Sequence, residues 1–177
     1  MKDDLGSIMI TKHTPERYIQ KLAQECRKCG HCCLHDSGIF LEDDIERISK
    51  FMGVPIEEFK ARFLEEKEIY NKRVWKAKLK RQGKPFGPCL FLNDDNKCDI
   101  HEVKPKHCKV ASGCGEYGQQ LNLWFMLNYV LEPSDPEAIR QWATYLRTHP
   151  TIPGGELHEL IPDKDELGKI LSYERLK

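Results

Sequence analysis

Apolar residues recur at helical spacing along most of the chain. In residues 42–53, EDDIERISKFMG, the side chains of Ile45, Ile48 and Met52 fall on one face, acids fill the first turn and Gly53 supplies a stop. This pattern predicts an amphipathic helix. Thr14 and Pro15 read as the cap and first residue of an earlier helix that runs to about Gln24, with Tyr18, Ile19 and Leu22 turned inward. Another helix is expected from Pro55, with Ile56, Phe59 and Phe63 as its apolar face. It runs on into the charged FLEEKE stretch, which reads as a solvated helix face. Leu121 to Leu131 predicts a core helix. In SDPEAIRQWATYLRTH, Ser134 and Glu137 have the spacing of a capping box, Pro136 fits the first turn, and Ile139, Trp142 and Leu146 form a buried stripe. PTIPGG breaks the chain, and DKDELGKILSYERLK forms a short final helix.

Two segments have period two instead. RVWKAKLKR alternates Trp75, Ala77 and Leu79 with Lys76, Lys78 and Lys80, the pattern of a strand with one lysine face. Lysines commonly guard an exposed sheet edge, so an edge strand is expected. The runs CLFL and CDI flank the turn-forming NDDNK, which predicts a β-hairpin with Cys89 and Cys98 near its two strands.

Length and charge narrow the setting. A chain of 177 residues can bury a real core, and one domain over 1–177 is expected. Lys and Arg total 28 and Asp and Glu total 28, so no overall field draws the chain to nucleic acid or an anionic membrane. A nucleic-acid partner would have to use the local patch of Lys76, Lys78 and Lys80. The start, MKDDLGSIMITKHTP, lacks the pattern of a secretory signal, and the longest apolar stretch falls short of a membrane span. The expected setting is cytoplasmic, with no membrane partner.

That setting changes the reading of the eight cysteines. In a reducing compartment they are metal ligands rather than a disulfide framework. Four fall within CRKCGHCC (Cys26, Cys29, Cys32 and Cys33), and four follow at Cys89, Cys98, Cys108 and Cys114. Thiolates bind borderline and soft metals, which means zinc or an iron–sulfur cluster; calcium or magnesium would want carboxylates. Three thiols at Cys-x2-Cys-x2-Cys resemble the ligand loop of a bacterial ferredoxin, although Cys33 follows at once and no proline comes after it. In an extended chain neighbouring side chains point to opposite sides, so Cys32 and Cys33 can serve two centres, and eight thiols suffice for two four-thiolate sites. Alternatively one centre takes four of them and the rest are buried, or Cys32 and Cys33 form a vicinal disulfide. His31, His35, His101 and His107 lie near the cysteines as ligands or hydrogen-bond partners. Asp36, Asp94, Asp95 and Asp99 read as turn residues and caps. No Ser/His/Asp or Cys/His catalytic set and no phosphate-binding glycine loop is present.

Cys26-x2-Cys29-Gly30-x-Cys32-Cys33, followed by DDIERISKFMG, Pro88-Cys89-Leu90-Phe91-Leu92, Cys98-Asp99-Ile100-His101, Lys104-Pro105-x-x-Cys108-Lys109 and Cys114, resembles the YkgJ-type cysteine-cluster proteins. Their CxxCxxCC signature is associated with zinc or iron chelation. The resemblance covers about residues 26 to 116, and it implies metal binding through all eight cysteines without implying a reaction. A related domain in the flagellin lysine methylase implicates an iron–sulfur cluster, which favours [4Fe–4S] over zinc here, but nothing in this chain resembles an S-adenosylmethionine site.

Three functions remain open at this stage. They are an iron–sulfur protein serving a redox partner, a zinc-stapled module binding protein or RNA, and a metal-dependent enzyme with an open coordination position. The expected fold is α+β and mainly helical. A cysteine-rich metal-bound core over 26–116, with a β-hairpin, is wrapped by an N-terminal helix and a helical extension over 117–177.

Overall fold

The computed structural model describes residues 9–23, 29–111 and 116–175. It is α+β: mostly helical, with one small antiparallel sheet. The first helix, α1 (Glu16–Leu22), buries Ile19 and Leu22. Tyr18 leaves the expected inward face; it is exposed and lies against Arg17 and Lys21. A short helix α2 (His31–His35) is followed by β1 (Ile39–Phe40) and α3 (Glu42–Met52). The third helix matches its periodicity, with Ile45 and Ile48 fully buried and Gly53 ending it in the left-handed region. Helix α4 (Ile56–Phe63) buries Phe59, while Ile56 stays exposed.

The FLEEKE stretch is not a helix face. Residues Leu64–Ile69 form β2, which turns through Tyr70 and Asn71 into β3 (Lys72–Ala77). Both turn residues have positive φ, 49° and 57°, the two-residue turn whose twist suits an antiparallel hairpin. Strand order is β1-β3-β2, with Phe40 opposite Trp75 and Leu64 opposite Ala77. Strand β3, which carries Lys76, is therefore central and not an edge, and Lys78 and Lys80 lie just beyond its end. Lys76 pairs with Asp36 at 2.7 Å, Lys78 donates to the Ala61 carbonyl, and Lys80 donates to the Leu92 carbonyl.

Residues 89–98 form a minimal hairpin. Leu92 bridges Cys98, with the Asn93 N–H donating to the Lys97 carbonyl and the Asp99 N–H to the Phe91 carbonyl, both at 2.9 Å, and Cys89 bridges Leu79 just beyond β3. A 3-10 turn (His101–Val103) leads to α5 (Lys106–Val110). Beyond it α6 (Gly118–Phe125) continues as a π-helical turn through Met126–Val130. Helix α7 (Pro136–Leu146) is capped by Asp135 in place of the expected Ser134: its carboxylate accepts from the Glu137 and Ala138 amides, while Ser134 bonds Glu132. Helices α8 (Leu157–Leu160) and α9 (Lys164–Leu171) close the chain. Among the described residues, no helix is long and apolar enough to cross a membrane.

Two cores meet at the sheet. Ile39 and Val74 belong with Ile19, Trp124, Phe125, Ile139 and Trp142 in the larger, helical core. Phe40, Leu64 and Ala77 belong with Ile45, Ile48, Phe59, Phe91 and Cys89 in the smaller one. The alternation of a strand explains the division: adjacent residues of β1 face opposite sides, so Ile39 serves one core and Phe40 the other.

Candidate metal centre

Five cysteines from three segments line one cavity. Cys32 and Cys33 come from α2, Cys89 and Cys98 from the minimal hairpin and Cys108 from α5, around a space of about 270 Å³. Phe40, Phe91 and Ile100 wall it with apolar surface, and Lys104, His101, His107 and Asp36 add polar groups. Cys29 is exposed, two residues before α2 begins. Cys26 and Cys114 lie outside the described residues. Among the described residues, no three His, Cys, Asp or Glu side chains stand at metal-ligand spacing.

Local chain geometry brings these thiols together. Gly30 caps α2 with φ at 72°, and a β-carbon there would meet the Asn96 carbonyl at 2.8 Å, so only glycine lets the loop approach the hairpin turn this closely. The Cys89 amide donates to the Cys33 carbonyl at 2.7 Å, joining the two segments that carry four of the lining thiols. Residues 31–35 are helical and not extended, which removes the basis for sending Cys32 and Cys33 to separate centres. Their sulfurs lie 3.8 Å apart as free thiols, and both face the same cavity.

Helix α5 is held by a residue whose position role the sequence did not reveal. Asp44, fully buried in the first turn of α3, accepts from the Lys106 amide with both carboxylate oxygens at 3.1 Å and from the Leu41 amide at 3.2 Å. Arg47 pairs with Asp44 and also donates to the Val103 carbonyl at 2.5 Å. These bonds tie α3 to the start of α5 and so locate Cys108. His107 fastens the other side. The Ile39 amide donates to its Nδ1 at 3.3 Å, which leaves Nε2 as the protonated nitrogen donating to Asn122 Oδ1 at 3.1 Å. Both ring nitrogens are engaged, so His107 is a brace and not a ligand. Burial pushes its pKa down to about 4 and keeps it neutral. His31 and His35 meet edge to face on the outer surface of α2.

The cavity treats its thiols unequally. A hydrogen bond from Cys33 holds the Cys32 thiol down to about 6, and the same bond pushes Cys33 up. Burial raises Cys89 to about 11; burial and the neighbouring thiols raise Cys108. Uncharged, these sulfurs are small apolar groups inside a wall of phenylalanine. Charged, they need a cation among them, and their softness suits zinc or iron. The donor set thus fits a thiolate-bound metal group.

Comparison with known proteins agrees with that chemistry. A family model, CxxCxxCC, described as "Putative zinc- or iron-chelating domain", matches residues 25–124, which contain all eight cysteines. The chain is also 28% identical over 128 residues to the uncharacterized protein MJ0661 of Methanocaldococcus jannaschii, a match that covers 68% of this chain and 65% of that protein. The aligned region thus falls just short of two thirds of its relative's length. No solved structure matches.

Proposed function

Because the chain belongs to the CxxCxxCC family, we propose that it is an iron–sulfur protein whose clustered cysteines hold a [4Fe–4S] group and that it passes electrons to a protein partner. One observation supports this reading: five thiols from three segments line a single cavity of about 270 Å³, more donors than the four that a tetrahedral structural zinc takes. Cys32, Cys33, Cys89, Cys98 and Cys108 are the cavity's donors, and Cys26, Cys29 and Cys114 complete the family set. Bound there, the group supplies one-electron transfer.

The chain's own residues do the rest. Phe40, Phe91 and Ile100 exclude water from the sulfurs and lower the local dielectric, which governs the potential of any bound group. Asp44, Arg47 and His107 hold Cys108 in place from two sides. Cys32, exposed while also lining the cavity, brings the centre to the surface, where a partner can approach.

A second reading is a zinc-thiolate module. Sulfurs around tetrahedral zinc lie about 3.8 Å apart, given bonds of about 2.3 Å, and that is the Cys32–Cys33 separation of 3.8 Å. Iron, acid-labile sulfide and the visible spectrum of protein purified without air decide between the two. Iron with matching sulfide and a broad absorption that bleaches on reduction supports the first reading; stoichiometric zinc without sulfide overturns it in favour of the second.

A further inference from the structure

Lys104 is the only lysine or arginine among the residues lining the thiol cavity. Three cations near it have carboxylate partners: Lys76 binds Asp36 at 2.7 Å, Lys106 binds Glu16 at 3.2 Å and Arg47 binds Asp44; Lys109 on α5, whose charge also interacts with that of Lys104, lies outside the lining. Among the described residues Lys104 has no ion pair or hydrogen bond for its ammonium. Asp36, the only carboxylate in the lining, is already taken by Lys76. A lysine without a carboxylate partner therefore lines the same cavity as five thiols, and its field acts on both Cys32 and Cys108, which sit on different helices. Pro105 follows it directly and restrains the backbone at the start of α5, where the Lys104 stem begins.

Metal coordination makes this arrangement meaningful. Four thiolates around a divalent ion, or around a cubane, leave a net negative charge inside an apolar wall, which is costly unless a cation stands close by. We propose that Lys104 is the counter-cation of the metal–thiolate centre, offsetting its excess negative charge and thereby strengthening the chain's hold on metal. The inference rests on the metal-centre reading above and holds for iron–sulfur and zinc alike.

The test compares the metal-loaded wild-type chain with Lys104→Gln, Lys104→Arg and, as a control for net charge, Lys84→Gln in the exposed 82–86 loop. Each is challenged with a chelator at low and high salt, and circular dichroism checks that each is folded. Lys104→Gln should release metal about tenfold more readily, the order found when groups supporting metal ligands are removed. Lys104→Arg and Lys84→Gln should behave like wild type, and the gap between Lys104→Gln and wild type should narrow in high salt. Equal retention in Lys104→Gln and wild type overturns the proposal, as does a Lys104→Arg variant as weak as Lys104→Gln, since the charge would then not be what matters. Wild type that carries no metal from any preparation overturns the metal-centre reading itself and this inference with it. The two failures are thereby distinct.

Discussion

Gly38 backs directly onto the sulfur of Cys108. A β-carbon at position 38 would occupy the space of that thiol, with Pro105 and the His107 ring close behind it. The residue just before β1 thus works as a seat for a thiol from α5. Gly38→Ala should push Cys108 out of the cavity wall and cost about 1–3 kcal/mol through overpacking. The check pairs thermal unfolding with metal content: a variant that keeps both at wild-type level would show that the seat yields easily.

Asp44 offers a separate test of how α5 is placed. Asp44→Ala strips the acceptor from two backbone amides, those of Leu41 and Lys106, and each unsatisfied buried donor costs about 1–3 kcal/mol. Asp44→Asn keeps one acceptor oxygen and should lose less. Urea titration of the two variants gives the order, and equal losses would place the effect in the Arg47 ion pair, which both variants remove.

Removing metal should loosen the molecule unevenly. The smaller core includes Cys33, Cys89 and Cys98, while the larger core around Trp124 and Trp142 contains no cysteine among its described members. Hydrogen exchange after chelation should rise first in 89–103, with α7 protected longest. Uniform acceleration across both cores would contradict this.

Stability should also fall in mild acid through Glu65. Paired N–H groups of Arg81 hold the Glu65 carboxyl below its ordinary 4.5. A carboxylate whose pKa is lower in the folded chain adds stability above its unfolded pKa, and that contribution disappears as pH drops through the folded value. Arg81→Gln should therefore lower the melting temperature at neutral pH, with the difference from wild type closing as pH falls below the ordinary 4.5 and through the lower folded value. A difference that persists in acid would assign the effect to packing.

Some of this was written plainly in the chain. Ile45, Ile48, Met52 and Gly53 announce α3 because one face of that helix is buried and its end needs a left-handed residue. The motif cysteines announce the thiol-lined cavity, since five of them come together there. LEEKEI gave no such signal. Its strand lies at a sheet edge with mostly exposed side chains, so alternation is blurred by charge, and the turn after it uses Tyr70 and Asn71 where a glycine would have flagged it. Asp44 and Asn122 were equally silent: a first-turn acid and a helical asparagine look like ordinary surface residues until the chain brings Lys106 and His107 to them. The helical form of 31–35 also follows from tertiary packing, with Gly30 pressed against the hairpin turn.

The two-residue strand β1 is a wall shared by two rooms. Phe40 forms part of the chamber where the thiols gather, and its neighbour Ile39 is in the helical core while its amide holds His107. Whatever enters or leaves the thiol chamber presses on the same dipeptide from one side. The helical core and the thiol chamber therefore share a partition made of this one dipeptide.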